Sequence, residues 1–208
     1  ENLKFKAGQY IEFIMGDNSR RAFSLASPPH ENLLELHLKL VEGGKFTQYV
    51  FNEMTEKSIH RIDAPIGQFY LRTSEKPIVF VAGGTGFAPI KSVIEDMIFN
   101  KIRRPIFLYR GVGTFDDLYM NDLSLKWANS IDEFKYIPVC EAKSDISPLR
   151  IGLVHEAVLE DLQSFDNVQV YCCGAPGLVQ NAFESFVSQG LPEDEFFADK
   201  FTFAPPKK

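Results

Sequence analysis

Ile78-Val79-Phe80-Val81-Ala82-Gly83-Gly84-Thr85-Gly86-Phe87-Ala88-Pro89-Ile90 is the stretch that decides the fold, because an apolar run there enters a glycine-rich turn and then a helical pattern. The β-branched run predicts a buried strand, and apolar residues spaced from Ile90 to Ile98 predict an amphipathic helix. Glycines let such a turn approach a ligand closely, and free N–H groups at the helix start suit a phosphate. Pro89 fits the first turn of that helix, where the N–H that proline lacks has no partner in any case. An ordinary β–α turn would leave the same pattern, but the strand and helix that a phosphate-binding turn requires are both predicted here. The candidate nucleotide-binding residues are Gly83, Gly84, Thr85, Gly86 and Pro89.

The composition describes an ordinary globular chain and excludes several classes of function. The 208 residues suit one large domain or two modest ones, and a net charge of −6 argues against a nucleic-acid partner, which favours a basic face. The three cysteines, Cys140, Cys172 and Cys173, lack metal-ligand spacing, so we expect no disulfide framework, metal site or iron–sulfur cluster within this chain. Sparse cysteines favour a reducing, cytoplasmic setting. The sequence contains no run of about 18 apolar residues, so we expect no membrane span.

The chain divides into two domains, which we place at residues 1–74 and 75–208. Short strands separated by turns fill the first part and predict an all-β barrel or sandwich, although about 75 residues are few for a barrel. From Ser74-Glu75-Lys76-Pro77 onward, strands alternate with helices, which predicts a parallel sheet covered by helices on both faces. The predicted strands are 10–15, 21–26, 34–40, 58–64, 78–82, 106–109, 135–140, 169–172 and 196–203, and the predicted helices are 46–52, the stretch up to about 100, 118–128, 154–162 and 178–189.

Three polar patterns in the first domain have the chemistry to bind an anion or a ring. Arg21-Ala22-Phe23-Ser24 offers a guanidinium fork for phosphate, a ring face for stacking and a hydroxyl, although an exposed arginine beside a core phenylalanine is the plainer interpretation. Gly44-Lys45-Phe46-Thr47 opens the helix predicted in this domain, and Thr47 near its start suits a simple N-cap as well as an anion site. His37 and Lys39 share the polar face of an alternating segment, which is typical of a solvated strand face.

These motifs, in this order, resemble the ferredoxin–NADP reductase family. The resemblance joins Arg21–Ser24, Gly44–Thr47, Gly83–Pro89 and Tyr171–Pro176, and it covers nearly the whole chain. Within that family the chain looks most like the NAD(P)H-flavin reductases, CDP-6-deoxyhexose reductase and the reductase modules of bacterial oxygenases. The resemblance implies a six-stranded barrel that holds flavin and an α/β domain that holds the nicotinamide nucleotide. It also implies an enzyme in which NAD(P)H passes hydride to flavin, with an iron–sulfur centre or free flavin as the next acceptor.

The resemblance assigns roles to the first domain's motifs. It places Arg21 on the flavin phosphate, Phe23 against the isoalloxazine ring and Ser24 in a hydrogen bond near flavin N5. It places a second flavin phosphate at Gly44–Thr47, which favours FAD over FMN. The segment His37–Lys39 stands where relatives contact the flavin.

In the second domain, the resemblance places Cys173 beside the nicotinamide ring, with Gly174-Ala175-Pro176 forming the next turn. A small, polarisable side chain there lets two flat rings approach each other, so we do not expect a nucleophile. Near the end of the chain, it makes Asp199 a proton donor or orienting partner and makes Phe201 or Phe203 a cover over the flavin. The expected catalytic residues are therefore Ser24, Cys173 and Asp199.

Two departures from the family pattern affect the cofactor predictions. Many relatives carry Gly-x-Arg after the second strand of the nucleotide domain, whereas this chain has Gly111-Val112-Gly113, so the contact with a nucleotide 2′-phosphate is lost and we expect NADH to be preferred over NADPH. Arg110 could contact the 2′-phosphate instead, so NADPH stays an alternative. No Asp or Glu stands at the end of this strand, where a dinucleotide-binding domain usually has an acidic residue that contacts the ribose. The two barrel strands that normally precede Gly8-Gln9-Tyr10 are also missing, so we expect an upstream region, which could also carry a 2Fe–2S domain.

An enzyme is favoured over a binding module. The lost Gly-x-Arg and the incomplete barrel would fit a chain that binds a nucleotide without turnover, and oxidation of NADH with flavin supplied separates the two. The electron acceptor stays open between an iron–sulfur protein or domain and free flavin.

Overall fold

A computed structural model describes residues 3–142 and 149–200, with Lys200 as backbone alone. The switch from an antiparallel to a parallel sheet falls between the third and fourth strands of this part of the chain. The elements are β1 (Tyr10–Ile14), β2 (Arg20–Ser24), α1 (Lys45–Asn52), β3 (Arg61–Ile66), β4 (Ile78–Gly83), α2 (Phe87–Phe99), β5 (Ile106–Val112), α3 (Asn121–Ser130), β6 (Phe134–Cys140), β7 (Arg150–Ile151), α4 (Val154–Asp161), β8 (Gln169–Gly174), α5 (Pro176–Ser188) and β9 (Phe196–Lys200).

The first domain is built on an antiparallel sheet in the order β2-β1-β3. Alternate residues of a strand face opposite sides, so Ile11 and Phe13 of β1 point into a core that also contains Leu25 and Phe46 of α1. This small antiparallel sheet confirms the predicted fold class for the domain. Among the described residues it comprises three strands, whereas the resemblance implied six.

Two strand predictions in this domain were wrong in extent. The segment 34–40 forms no strand, and a single bridge joins Leu36 to Leu25. Its alternation is real, but its polar side meets the second domain instead of lying beside another strand. β3 runs on to Ile66, two residues past its predicted end, because Pro65 lies in an edge strand, where a missing N–H is tolerated.

The second domain confirms the predicted α/β class. Its six strands are all parallel, in the order β7-β6-β5-β4-β8-β9. β4 is buried from Ile78 to Ala82, because helices cover both faces of the sheet. Phe80 lies in the core cluster that contains Ile90 of α2, whereas Val79 lies in the cluster that contains Val158 of α4 and Phe186 of α5.

The last strand, β9, lies parallel to β8 and brings Asp199 opposite Cys173. The sequence predicted a strand as far as residue 203, and the expected flavin covers Phe201 and Phe203 lie outside the described residues. Within 3–142 and 149–200, none of the helices combines the length and the apolar character needed to cross a membrane.

A buried polar cluster joins the two domains next to β2. Lys91 of α2 donates to the carbonyl of Ala26 (3.2 Å) and to the carboxylate of Glu35 (2.9 Å), both in the first domain. Ser92 donates to the carbonyl of Ser27 at 2.8 Å, also away from water. Unpaired polar groups in such a place would be strongly destabilising, so these contacts fix the end of β2 against α2. That end of β2 carries Ser24.

Candidate active site

Three of the predicted residues meet where the domains touch. The hydroxyl of Ser24, at the end of β2, donates to Oδ2 of Asp199 at 3.3 Å. Asp199 pairs in register with Cys173 of the neighbouring strand β8. Ser24 and Cys173 are both buried, with Cys173 0% exposed. The Ser24 hydroxyl therefore lies at one junction with a thiol and a carboxyl that follow it in the sequence by 149 and 175 positions.

Burial sets the protonation of this junction. It raises the pKa of Asp199 above the ordinary value, and the hydrogen bond from Ser24 opposes that rise. Burial also raises the pKa of Cys173 well above that of a free thiol, and the nearby Asp199 adds to the effect. Cys173 is therefore a neutral thiol at physiological pH and not a nucleophile, and because it is fully buried its contact with a nicotinamide ring stays a prediction. Asp199 retains a proton to higher pH than an exposed aspartate.

Two glycine turns touch each other beside this junction. A Cβ added to Gly86 would lie 2.1 Å from the carbonyl oxygen of Cys173, so only glycine permits this contact. Gly174 adopts φ +155° and lies against the backbone of Gly83. The turn after β4 and the turn after β8 therefore form one surface at the carboxyl ends of two adjacent parallel strands. Such a crevice is where open α/β sheets bind nucleotides.

The start of α2 has the features predicted from the sequence. The helix begins at Phe87 after Gly86, and Pro89 lies in its first turn. Gly84 is exposed and Thr85 is half-buried at the mouth of the turn. α5 starts in the same way, with Pro176 as its first residue. The binding roles of these residues stay predictions.

A second anion-binding arrangement lies on the first domain. Arg21 and Lys45 line one surface depression together with Phe46, at the N-terminus of α1. The ring of Phe23 packs against Phe46 with centroids 5.1 Å apart. Asp17 also lines the depression, so two cations and a helix N-terminus stand beside one carboxylate, and their excess of positive charge suits a phosphate group. Lys45 was not singled out from the sequence, and its position directly after the Gly44 N-cap was the signal for it.

Thr47 does not cap α1 as one interpretation of the sequence proposed. Gly44 is the N-cap residue, and no side chain caps the helix. The Thr47 hydroxyl instead donates to the carbonyl of Gly44 (3.1 Å) and accepts from the N–H of Val41 (3.2 Å). These bonds hold the loop before α1 against the helix. Thr47 therefore fixes the start of α1 without lining the depression itself.

His37 and Lys39 both contact the second domain, but only His37 is shielded from solvent. Nδ1 of His37 is 2.8 Å from the hydroxyl of Tyr119, and its Nε2 is 2.9 Å from a carboxylate oxygen of Glu35. Burial lowers the pKa of His37, more than Glu35 raises it, so the ring is neutral at pH 7. Lys39 donates to Asp117 at 3.2 Å while its side chain stays 74% exposed. The expected solvated strand face is wrong for His37, because the second domain covers it.

Asp117 provides the carboxylate that the sequence search did not find at the end of β5. Its Oδ2 accepts from the N–H and the hydroxyl of Thr114, at 3.1 and 2.9 Å. These bonds lower the pKa of Asp117, and they fold its carboxylate back to within 3.6 Å of where a Gly113 Cβ would stand. The spacing Thr114-x-x-Asp117 is typical of a capping box and could have indicated this carboxylate. The sequence prediction considered the strand end alone, and Asp117 lies five residues beyond it.

Arg110 lies in the interior, which corrects the expectation that it reaches a nucleotide phosphate. It is 1% exposed, and its guanidinium is 3.8 Å from the ring centroid of Phe87. It donates to the carbonyl of Tyr119 at 2.7 Å and to the hydroxyl of Ser124 at 3.4 Å. Aromatic rings and these acceptors replace water around the charge. Arg110 therefore holds the backbone of Tyr119 in place.

Family profiles match both halves of the chain. The profile described as an oxidoreductase FAD-binding domain matches residues 1–70, and that described as an oxidoreductase NAD-binding domain matches residues 80–184. The chain belongs to the ferredoxin–NADP reductase family. Its first part matches an oxidoreductase FAD-binding domain and its second part an oxidoreductase NAD-binding domain.

Individual relatives agree with this membership. CDP-6-deoxy-L-threo-D-glycero-4-hexulose-3-dehydrase reductase of Yersinia pestis is 37% identical over 96% of this chain and 60% of its own length. NAD(P)H-flavin reductase of Vibrio harveyi is 33% identical over 97% of this chain and 88% of its own length. The crystal structure of Amycolatopsis cytochrome P450 reductase GcoB has a TM-score of 0.90, with 29% identity, over all of this chain and 63% of that one. The chain thus spans about 60% of the length of the first curated relatives.

The residues of this family member fit the cofactor that its first domain is named for. The depression lined by Arg21, Lys45 and the carboxylate of Asp17 carries a net positive charge that fits a flavin phosphate, and α1 adds its N–H groups. Ser24 and Asp199, to which the resemblance assigns roles beside the flavin ring, contact each other through a hydrogen bond. Among residues 3–142 and 149–200, no group of His, Cys, Asp or Glu side chains is arranged to hold a metal ion.

Proposed function

We propose that this reductase takes hydride from NADH onto bound FAD at the Ser24–Asp199–Cys173 junction and delivers the electrons to an iron–sulfur protein. The contact between Ser24 and Asp199 carries the proposal, because it joins the flavin motif of the first domain to the nucleotide motifs of the second. The domains that do this are residues 1–74 and 75–208. The electron acceptor is a separate matter from the hydride step and is tested separately.

The chain's own groups position and shield the reaction. Bound FAD supplies the hydride acceptance and the one-electron chemistry. The close approach of Gly86 to the backbone of Cys173 fixes the turn after β4 against the end of β8, and the exposed Gly84 of that turn is where we place the nicotinamide nucleotide. Asp199 accepts a hydrogen bond from the buried Ser24 hydroxyl, and burial raises the pKa of its carboxyl. Exclusion of water strengthens these hydrogen bonds and protects the hydride.

A preference for NADH over NADPH follows from the end of β5. A 2′-phosphate beside Gly113 would meet the carboxylate of Asp117, which is held in place by Thr114. Like charges at that distance repel, whereas the ribose hydroxyls of NADH are able to donate to a carboxylate. Lys39 neutralises Asp117 in part, so the discrimination is moderate. The buried position of Arg110 removes the cation that would have favoured NADPH.

FAD, in preference to FMN, follows from the position of the cationic depression. Arg21 lies on β2 and Lys45 on α1, so the cations come from two separate elements around one surface. A diphosphate uses both, and a single phosphate needs only one. We place the reductase in a reducing, cytoplasmic setting, which suits its three buried free cysteines.

The iron–sulfur acceptor is supported by relatives. The naphthalene 1,2-dioxygenase system ferredoxin–NAD(P)+ reductase component of Pseudomonas putida is 30% identical over 96% of this chain. A 2Fe–2S centre would lie outside the sequence considered, in a partner or in a further domain. Reduction of free flavin is the second candidate, because the Vibrio harveyi NAD(P)H-flavin reductase matches this chain over 88% of its length.

Anaerobic mixing tests the proposal. FAD-loaded, desalted protein is mixed with NADH and, separately, with NADPH, and the flavin absorbance is followed in a stopped-flow instrument. We expect rapid bleaching with NADH, slower bleaching with NADPH, and electron delivery to a 2Fe–2S ferredoxin. Absence of bleaching with either nucleotide would contradict the hydride step and leave a nucleotide-binding module. Protein that releases its flavin and turns over added FMN would establish the free-flavin reductase instead.

A further inference from the structure

Residues 69–76 join the two domains, and we call them the linker. The side chain of Phe69 is 3% exposed and lies in the core cluster of the second domain, where its ring centroid is 5.8 Å from that of Tyr171. The backbone N–H of Arg72 donates to the hydroxyl of Tyr171 at 2.8 Å. The linker is therefore bound to β8 through both a buried ring and a backbone group, and it does not act as a free hinge.

A buried arginine of the second domain binds two further backbone groups of the linker. Arg104 lies two residues before β5 and is 6% exposed. Its guanidinium donates to the carbonyl of Lys76 at 2.7 Å and to the carbonyl of Arg72 at 3.3 Å. The same guanidinium donates to Oε1 of Gln169 at 2.9 Å, and both Gln169 and Lys76 donate to the carboxylate of Glu195. Buried groups of this kind are costly to leave unpaired, so the bonds define one arrangement of the linker. We call the second-domain side chains that bind the linker the linker clamp, and they are Tyr171, Arg104, Gln169 and Glu195.

The strands that hold the linker also carry the reactive junction. Tyr171 and Cys173 lie two residues apart on β8, so their side chains share one face of the sheet. On β9, Phe197 pairs with Tyr171 and Asp199 pairs with Cys173. The rings of Tyr171 and Phe197 stack at 4.8 Å, and the guanidinium of Arg72 lies 5.2 Å from the ring centroid of Phe197. The linker therefore packs against the strand pair that presents Cys173 and Asp199 to the first domain.

The clamp and the junction lie at opposite ends of this strand pair. Gln169 is the first residue of β8, and Cys173 lies four residues further on, which is about 13 Å along a strand. The first domain is attached near one end by its linker and near the other end by the contact of Ser24 with Asp199. A single attachment would leave a pivot, whereas two separated attachments resist rotation of one domain on the other.

We propose that Tyr171 is a positioning residue for the hydride step, because the linker clamp fixes the orientation of the first domain on the second. This proposal rests on the proposed function and deepens it. Hydride passes directly between two rings, one held by each domain, so its rate depends on the distance and angle between the domains. The Tyr171 hydroxyl acts through the backbone of the linker and not on the reacting atoms.

Two conservative substitutions weaken the clamp, and each has a matched control. Tyr171→Phe removes one oxygen atom and leaves the N–H of Arg72 without its acceptor. Its control is Tyr109→Phe, because Tyr109 is also buried and donates to a carboxylate at 2.9 Å, but its side chain packs in the cluster on the other face of the sheet. Arg104→Lys keeps the charge, but one ammonium is unable to replace three guanidinium nitrogens. Its control is Arg103→Lys at the exposed neighbouring position.

Anaerobic mixing of the FAD-loaded variants with a range of NADH concentrations measures the hydride step. We expect the limiting rate of bleaching to fall about tenfold in Tyr171→Phe and Arg104→Lys, since looser domains spend less time in the reactive geometry. The NADH concentration that gives half the limiting rate and the affinity for FAD should each stay within about twofold, and both controls should keep the parent rate. The measurements are made well below the Tm of each variant, where a loss of stability alone would leave the limiting rate unchanged.

Spin labels on the two domains measure their relative orientation without any reaction. Lys57→Cys and Lys126→Cys place one label on each domain at exposed positions, and the three native cysteines are buried. We expect pulsed dipolar spectroscopy to give a wider distribution of label distances in both clamp variants than in the parent and the controls.

The failures of the two proposals are distinguishable. A parent protein that NADH does not bleach would contradict the proposed function, and the label distances would still test the clamp. An unchanged distance distribution in both clamp variants would overturn the present proposal, whatever their rates. A wider distribution with the parent's limiting rate would overturn it too, because the orientation of the domains would then not control the hydride step.

Discussion

Replacing Gly86 with alanine tests the contact between the two glycine turns. The new Cβ would lie 2.1 Å from the carbonyl oxygen and 2.5 Å from the carbonyl carbon of Cys173, and 3.0 Å from the nitrogen of Gly174. All three atoms are backbone of a strand that pairs on both sides, so no flexible side chain is able to yield. The backbone of β8 or the turn after β4 must therefore move.

The magnitude follows from the cost of overpacking. Forcing an extra methyl group into a well-packed region destabilises a protein by about 1–3 kcal/mol. For a domain of this size, each kcal/mol lowers Tm by about 2–4 °C, so we expect a fall of roughly 4–8 °C for a central value of about 2 kcal/mol. Displacement of Cys173 also moves the surface for the nicotinamide, and a misplacement of about 1 Å slows a positioned reaction by about 100-fold.

Gly177→Ala is the matched control. Gly177 lies in the first turn of α5, and a Cβ there meets no atom within 4 Å. Alanine is the better helix former, so this variant should be as stable as the parent or more stable by up to about 1 kcal/mol. Thermal unfolding by circular dichroism and stopped-flow bleaching by NADH are measured on both variants. If Gly86→Ala had the Tm and the bleaching rate of the parent, the contact between the turns would not shape the site, and the reasoning would be refuted.

Four further substitutions test other parts of the site. Arg21→Ala should weaken FAD binding at least tenfold, because a charge-assisted bond to phosphate is lost; fluorescence titration checks this, and Arg61→Ala, an exposed arginine of the same sheet, should bind FAD normally. Cys173→Ala should slow NADH-driven bleaching while FAD stays bound, and an equal single-turnover rate would count against the packing role. Asp117→Ser should improve kcat/KM for NADPH relative to NADH about tenfold, since the repelling carboxylate is removed; an unchanged ratio would show that Asp117 does not select the nucleotide. Asp199 has a raised pKa in the folded state, so the folded protein holds more protons than the unfolded chain and loses stability as pH rises through that pKa. Asp199→Asn should therefore gain stability relative to the parent with rising pH, and parallel pH profiles from urea unfolding would contradict this.

Local signals made the nucleotide-binding half predictable. The run Ile78–Ala82 is buried on both faces and followed by glycines and a helix, so strand, turn and helix were all encoded within residues 78–99. Pro89 lies in the first turn of α2 as predicted. Both facts depend on neighbours in the sequence, and sequence patterns report such neighbours well.

Contacts between distant segments were harder to predict. The segment 34–40 alternates like a strand, but Leu34 and Leu40 are exposed and the polar His37 binds Tyr119 of the other domain, so the alternation reported neither a sheet nor a uniformly buried apolar face. Arg110 has the charge of a phosphate ligand, yet rings of Phe87 and Tyr119 enclose it. Asp117 reaches back to Gly113 through a turn that only its bonds with Thr114 define. In each case the deciding partner lies on another element, and no local pattern specifies it.

The buried ammonium of Lys91 has a consequence for how such reductases are recombined. It belongs to α2, yet two of its three acceptors, Ala26 and Glu35, come from the flavin-binding half, and the third, Glu95, comes from its own helix. A chimera joined between β3 and β4 would place this lysine against residues of another protein. Its buried charge would then have no partner at the contact between the domains. Engineers who exchange domains between members of the family would therefore have to transfer Glu35 and Lys91 together. In a natural protein that arose by such an exchange, we expect both positions to have changed together.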